Sequence, residues 1–331
     1  MNFCTLFDSY YIQKGIALYL SLERVTNDFH LYVMAFDKDC YDKLVACGFN
    51  RMTVELWDDW ETPEIKAVKS DRTRAEYCWT CGPSVIYHFL TYHNLPDITY
   101  LDSDLFFVGD PQIAFNEIRG KSIAITEQRV SEERARQVGR YCVQFIHFKN
   151  DKEGLDALTW WRDACVDWCY QRFEDNKYAD QKYLDQFPEK YDSLCVIENV
   201  GVGLAPWNAD RYRYSQNLVI DGNKQYPPVF FHMHGLSFSR TNTVLNVKSI
   251  DYDMKGEALK YYYTPYAELM REVFNKYLGW DVTSFKLNRP NLLKRTFFII
   301  RTTFRNNSIM KWLYYKVFDM TPHGHGHNVT Q

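Results

Sequence analysis

Residues 98–107 read Ile-Thr-Tyr-Leu-Asp-Ser-Asp-Leu-Phe-Phe, a β-rich apolar run that delivers two carboxylates two positions apart. Side chains at i and i+2 of a strand point to one face, so Asp102 and Asp104 could reach the same hard cation. Carboxylate oxygens are what Mg²⁺ or Mn²⁺ prefers, particularly where phosphates complete the shell. An Asp-x-Asp taken alone is more often a strand running into an Asx-type turn, so the surrounding chain has to carry the reading.

On either side of this run the sequence alternates strand and helix patterns. Phe3–Phe7 reads as a short buried strand, Tyr11–Leu22 as a helix, Leu31–Phe36 as a strand, Lys38–Ala46 as a helix and Met52–Leu56 as a third strand. Trp79–Tyr92 reads as a helix with Pro83 near its start, where the first turn has no amide partner to lose. The strand Ile98–Leu101 then delivers Asp102. Beyond it, strands are predicted at Ile123–Thr126 and Phe145–Phe148, a long helix at Leu155–Phe173, a further element from residue 180 and a last strand at Val229–Phe231. This alternation predicts an α/β fold with a mostly parallel, Rossmann-like central sheet covered by helices. In such sheets ligands gather at the carboxyl ends of strands. Asp8, Asp102, Asp104 and His232 all fall at predicted strand ends. The Gly201/Gly203 pair marks a loop whose backbone can approach a ligand closely.

Composition sets the class. With 331 residues, 46% apolar and 24% charged, the chain can bury a sizeable core. No run of 18 apolar residues exists, and Met1 leads straight into a strand pattern without a signal peptide, so a cytoplasmic location is expected. Nine cysteines, an odd number spread over a long chain, fit a reducing compartment better than a disulfide framework. Cys78-Trp-Thr-Cys81 lacks the second pair that a structural zinc site needs, and Cys165 and Cys169 read as one face of an aromatic-rich helix. The net charge is −3. Positive charge concentrates between Val282 and Phe318, which holds no acidic residue, and elsewhere the chain is acidic; nucleic acid is therefore not an expected partner.

His232-Met-His234-Gly235 adds two imidazoles on one face and a glycine that would let the loop close over phosphates. Together these segments resemble the GT-A-fold nucleotide-sugar glycosyltransferases of the glycogenin and bacterial galactosyltransferase type, over residues 3–238 and in the same order. Phe7-Asp8-Ser9-Tyr10-Tyr11 stands where that family contacts the base, Tyr100-Leu-Asp-Ser-Asp104 matches its metal motif with Ser103 between the carboxylates, Asp180-Gln181 matches its donor-sugar pair, and His232 matches its third metal ligand. The resemblance implies a metal-dependent enzyme that transfers a sugar from a nucleotide diphosphate, UDP foremost, to a glycan or lipid-linked glycan acceptor with retention of configuration, in bacterial surface polysaccharide synthesis. It implies Asp102, Asp104 and His232 as ligands of Mn²⁺ or Mg²⁺. Asp8, Tyr11, Ser103, His234 and Gly235 would line the nucleotide site, and Asp180 with Gln181 the sugar.

Two departures stand out. The family's lysine three residues after the motif glycine is Phe238 here, which leaves Arg72, Arg74 or Arg240 to counter the diphosphate. Cys142-Val-Gln144 replaces an Asn-Ala-Gly pattern in the acceptor region. A sugar nucleotidyltransferase and a non-catalytic sugar-binding or scaffold protein remain competing readings; the first would show a Gly-rich basic loop, and Phe7–Lys14 is not one. The expected organisation is a catalytic domain at 1–240, a helical basic-aromatic extension at 241–320 and a disordered tail at 321–331. Residues 289–318 have the composition of either an interfacial helix resting on the inner membrane face or a packed helix with solvated Lys and Arg.

Overall fold

In a computed structural model the described residues are 1–215, 217–250 and 252–288. The basic-aromatic segment at 289–318 and the tail at 321–331 lie outside them.

Five strands of the first part, β1 (Asn2–Phe7), β2 (His30–Ala35), β3 (Met52–Leu56), β4 (Asp97–Leu101) and β5 (Leu105–Phe107), precede β6 (Ile123–Glu127), β7 (Tyr141–Lys149), β8 (Leu194–Ile197) and β9 (Val202–Leu204). A meander of β10 (Arg213–Ser215), β11 (Leu218–Asp221) and β12 (Lys224–Tyr226) leads to β13 (Phe230–His232), β14 (Leu236–Thr241), β15 (Val244–Ser249) and β16 (Ser284–Asn288). The central sheet runs β3-β2-β1-β4-β7-β6-β8. It is parallel from β3 through β4 and between β6 and β8, and β7 is antiparallel to both its neighbours. This is the mostly parallel α/β sheet expected. Apart from Asn2, β1 is buried throughout, as a central strand covered on both faces should be.

The helices are α1 (Ile12–Val25), α2 (Lys38–Cys47), α3 (Pro63–Val68), α4 (Arg74–Tyr92), α5 (Gln112–Ile118), α6 (Glu132–Val138) and α7 (Lys152–Asp167). Helix α4 begins five residues before the predicted Trp79. Thr73 caps it, accepting from the Glu76 amide while Glu76 accepts from the Thr73 amide, a capping box that outcompetes proline as a start signal. Pro83 is therefore interior, not first-turn. Helix α7 stops at Asp167, short of the predicted Phe173, because Trp168 turns extended.

A second, three-stranded sheet, β5-β13-β9, positions the site. β5 pairs antiparallel with β13 so that Leu105 faces His232, and the Met233 amide donates to the Asp104 carbonyl at 2.8 Å. The residues after position 240 continue this body: residue 240 lies inside β14, which pairs with β15, and the helix Thr264–Lys276 packs behind, with Phe231 stacked on Tyr262 and Phe106 against Tyr266. Among the described residues no helix is long and apolar enough to cross a membrane.

Candidate functional site

Asp102 and Asp104 do not share a strand. β4 ends at Leu101, the Leu105 amide closes a turn onto the Asp102 carbonyl at 3.2 Å, and β5 starts at once. The turn, not the strand period, gathers the two carboxylates. Asp104 is buried, whereas the Asp102 side chain keeps 28% of its surface exposed.

His232, at the end of β13, aims Nε2 at both: 2.9 Å from Asp104 Oδ1 and 3.7 Å from Asp102 Oδ2. Its Nδ1 donates to Gln144 Oε1 at 2.9 Å. A carbonyl oxygen can only accept, so Gln144 fixes a proton on Nδ1 and reserves Nε2 for whatever lies between the carboxylates. Gln144 comes from β7, whose carbonyl also receives the Asp102 amide at 3.1 Å. Cys142, Asp102 and His232 can bring ligand atoms within 4.8 Å of one another. The indole of Trp207 stands edge-on to His232, ring centres 5.2 Å apart.

Asp104 has a second cationic partner that the sequence pattern did not single out. Lys14, buried on α1, lies 3.3 Å from Asp104 Oδ2. Gly15 makes this possible: a Cβ there would fall 2.1 Å from the Phe7 ring, so only glycine lets α1 close on the end of β1.

The charges follow. Burial alone would raise the Asp104 carboxyl, but His232 and Lys14 outweigh it and hold it well below the usual carboxylate range. Burial opposes protonation of His232, yet Asp104 prevails and carries it up to about 10. Asp102 is raised to about 6, by burial first, with Asp104 adding to it against the pull of His232. Asp180 goes to about 8, through burial and then the charge of Asp102.

Around this centre, Asp8 accepts from the Tyr10 amide at 2.9 Å and from Arg74 Nε at 2.5 Å. The Arg74 guanidinium also covers the Tyr10 ring at 4.4 Å. Tyr11 lies within the field of Lys14, Asp104, Asp8 and Asp102; Lys14 pulls its phenol down, but burial and the three carboxylates leave it raised. Ser103 is buried in the turn, His234 is exposed beside Trp207, and Gly235 takes φ +71°. Gln181 spends its amide on the Val138 carbonyl at 2.7 Å.

Two of the three expected donors of positive charge, Arg72 and Arg240, sit elsewhere, as does Phe238 in the place of the family's lysine. Arg72 donates to the Val166 carbonyl and stacks 3.9 Å from the Tyr170 ring, Arg240 lies over Trp280, and Phe238 packs against Tyr266 and Phe274. The two glycines also serve packing: a Cβ on Gly201 would meet the Pro227 carbonyl at 2.0 Å, and one on Gly203 would meet Gln144 at 3.0 Å. Cys78 and Cys81 are free thiols on α4.

No family model matches the chain. Two proteins of Bacillus subtilis (strain 168) are similar to it. The uncharacterized protein YfnD is 29% identical over 279 residues, spanning 80% of this chain and 87% of its own length. The uncharacterized protein YfnF is 28% identical over 259 residues, spanning 74% and 84%. Among solved structures, the galactosyltransferase LgtC in complex with donor and acceptor sugar analogs superposes with a TM-score of 0.54 at 12% identity, covering 82% of this chain and 96% of that one. The chain has the LgtC fold. An active-site mutant of LgtC superposes similarly, with a TM-score of 0.52 and 81% of this chain covered. This is the GT-A architecture that the resemblance implied.

Proposed function

We propose that the chain is a metal-dependent glycosyltransferase that takes a sugar from a nucleotide diphosphate sugar, with UDP as the nucleotide, and adds it to a glycan acceptor. One observation carries the reading. Asp102, Asp104 and His232 converge from two sequence-distant strand ends, with His232 Nε2 turned to both carboxylates and its other nitrogen tied to Gln144. Two carboxylates and an imidazole nitrogen suit Mn²⁺, and Mg²⁺ where phosphate oxygens and water complete the shell. The chemistry such a cation supplies is neutralisation of charge on the departing diphosphate.

The chain's own residues divide the remaining work. Asp8, oriented by Arg74 and the Tyr10 amide, and Tyr11 frame the base. Ser103, His234 and Gly235 border the diphosphate. Asp180, whose carboxyl is raised by burial and then by the charge of Asp102, would hold the donor sugar. Gln181 has its amide engaged, so its part in holding the sugar falls to the side-chain carbonyl. Retention of configuration, a lipid-linked glycan acceptor and a place in surface polysaccharide synthesis extend the same reading. The basic, aromatic composition of residues 289–318 supports attachment to an anionic membrane surface.

A nucleotidyltransferase is the weaker reading, because the segment between β1 and α1 is Asp8-Ser9-Tyr10-Tyr11, without the glycines that cradle a triphosphate. The experiment is a panel of nucleotide sugars incubated with Mn²⁺ while nucleoside diphosphate release is followed. Expected is UDP release that EDTA abolishes. Pyrophosphate release from a nucleoside triphosphate and a sugar phosphate would favour the nucleotidyltransferase, and no turnover in either assay would favour a binding protein.

A further inference from the structure

Resting on the donor-site reading above, we infer that Lys14 is the cation that counters the donor's diphosphate, and that it leaves Asp104 when a metal ion enters. Lys14 is only 4% exposed, and its Nζ lies between Asp104 Oδ2, at 3.3 Å, and the face of the Tyr11 ring, at 4.1 Å. Burying an ammonium is costly unless it is paired, so its place in the first turn of α1 is fixed by that carboxylate. The other Asp104 oxygen is held by His232 Nε2. Each oxygen of the more buried carboxylate thus has a cationic partner: at Oδ1 a metal ion takes the place of the His232 proton, and at Oδ2 it competes with the Lys14 ammonium.

His232 is held from behind by Gln144 and cannot swing away without breaking that hydrogen bond. Lys14 is tethered by a flexible four-carbon stem and has no second partner beyond the Tyr11 face. It is the group that moves. With a divalent ion bound and His232 neutral, two carboxylates balance the metal and Lys14 leaves one positive charge in excess. A nucleotide diphosphate sugar brings two negative charges to that point. The competing cations are committed: Arg72 to Val166 and Tyr170, Arg74 to Asp8, Arg240 to Trp280, and Lys182 to Asp185. Phe238, where the resembling family carries its lysine, is packed against Phe274. Lys14 supplies from the first helix a charge missing after the last motif.

The test uses the full chain and Lys14→Met, with Mn²⁺, UDP and uridine as probes in calorimetry. Mn²⁺ alone should bind Lys14→Met more tightly than the wild type, because a competing cation is gone. At saturating Mn²⁺, UDP should bind the variant about 10- to 100-fold more weakly, the scale of one charge-assisted contact, while uridine binding is unchanged. A fixed structural counter-ion would instead lower the melting temperature and leave UDP affinity intact, and that result overturns the inference. Should Lys14→Met not fold, Lys14→Gln, which keeps a donor for Asp104 without the charge, is read in the same two ways. Failure of the wild type itself to bind UDP with Mn²⁺ would overturn the donor-site reading.

Discussion

Two clusters in this molecule are built from the same side-chain types and do opposite things with them. At the carboxyl ends of β4 and β13, Asp102 and Asp104 face a protonated His232 and the Lys14 ammonium. On the edge strand β3, Glu55 accepts from His88 Nε2 and His93 Nε2, each at 2.7 Å, one imidazole per carboxylate oxygen. Burial, outweighing the pull of Glu55, holds His88 below its usual value. Trp60 stands 4.2 Å from His88 and Tyr32 4.9 Å from His93, so the second cluster is a hydrogen-bonded clasp between an edge strand and the end of α4. Its ligand atoms could enclose a metal as well as those of the first. Residue type therefore does not single out a candidate site. Buried charge of both signs, concentrated where an open sheet collects ligands, does.

The sharpest way to break this contrast is to remove the carboxylates. Asp102→Asn is expected to lower turnover by about a hundred- to a thousandfold while changing stability little, because its side chain is partly exposed. Asp104→Asn should lose turnover equally and also cost about 3 kcal/mol of stability, since it strands two buried cations. Denaturant melts and kinetics on both variants separate the two effects.

Next in size is Gln144→Leu, which frees His232 Nδ1. Mn²⁺ affinity should fall about 10- to 100-fold with the fold retained. Unchanged affinity would mean that Gln144 is packing alone.

Glu55→Gln addresses the clasp. It should cost about 1–3 kcal/mol of stability and leave turnover within about twofold. A loss of turnover as large as that of Asp102→Asn would erase the distinction between the clusters.

The smallest effect is a proton. His232, raised to about 10 by Asp104, is protonated at pH 7 without metal and must be neutral as a ligand. Asp102, at about 6, is already mostly ionised there. Mn²⁺ binding at pH 7 should release about one proton, measured by calorimetry in two buffers of different ionisation heat, and affinity should weaken as pH falls.

Much of this was legible in the chain. The alternation of strands and helices, the Asp-x-Asp after a strand and the histidine after the last one each rest on local periodicity, which a sequence displays directly. The strand end at Leu101 is legible, but the strand period is not what gathers Asp102 and Asp104: the turn closed by the Leu105 amide on the Asp102 carbonyl does that. Lys14 is not legible, because a lysine in an amphipathic helix looks the same in sequence whether it faces water or a carboxylate ninety residues away. Gln144 shows in sequence only as a departure from a family pattern, and its role in orienting His232 appears only with the fold. Pro83 misdirected the start of α4, since its usual first-turn preference gave way to the Thr73–Glu76 capping box. Lys14 and Gln144 act on partners about ninety residues away, which no local pattern displays, whereas the start of α4 is a local competition between two signals.

A metal and a nucleotide diphosphate are expected to bind together at Asp102, Asp104 and His232. Thermal melting with UDP in Mn²⁺ and again in EDTA tests it most directly. The expected result is a UDP-dependent rise in melting temperature with Mn²⁺ that disappears in EDTA and in Asp102→Asn. An equal rise in EDTA, or none in Mn²⁺, would contradict it.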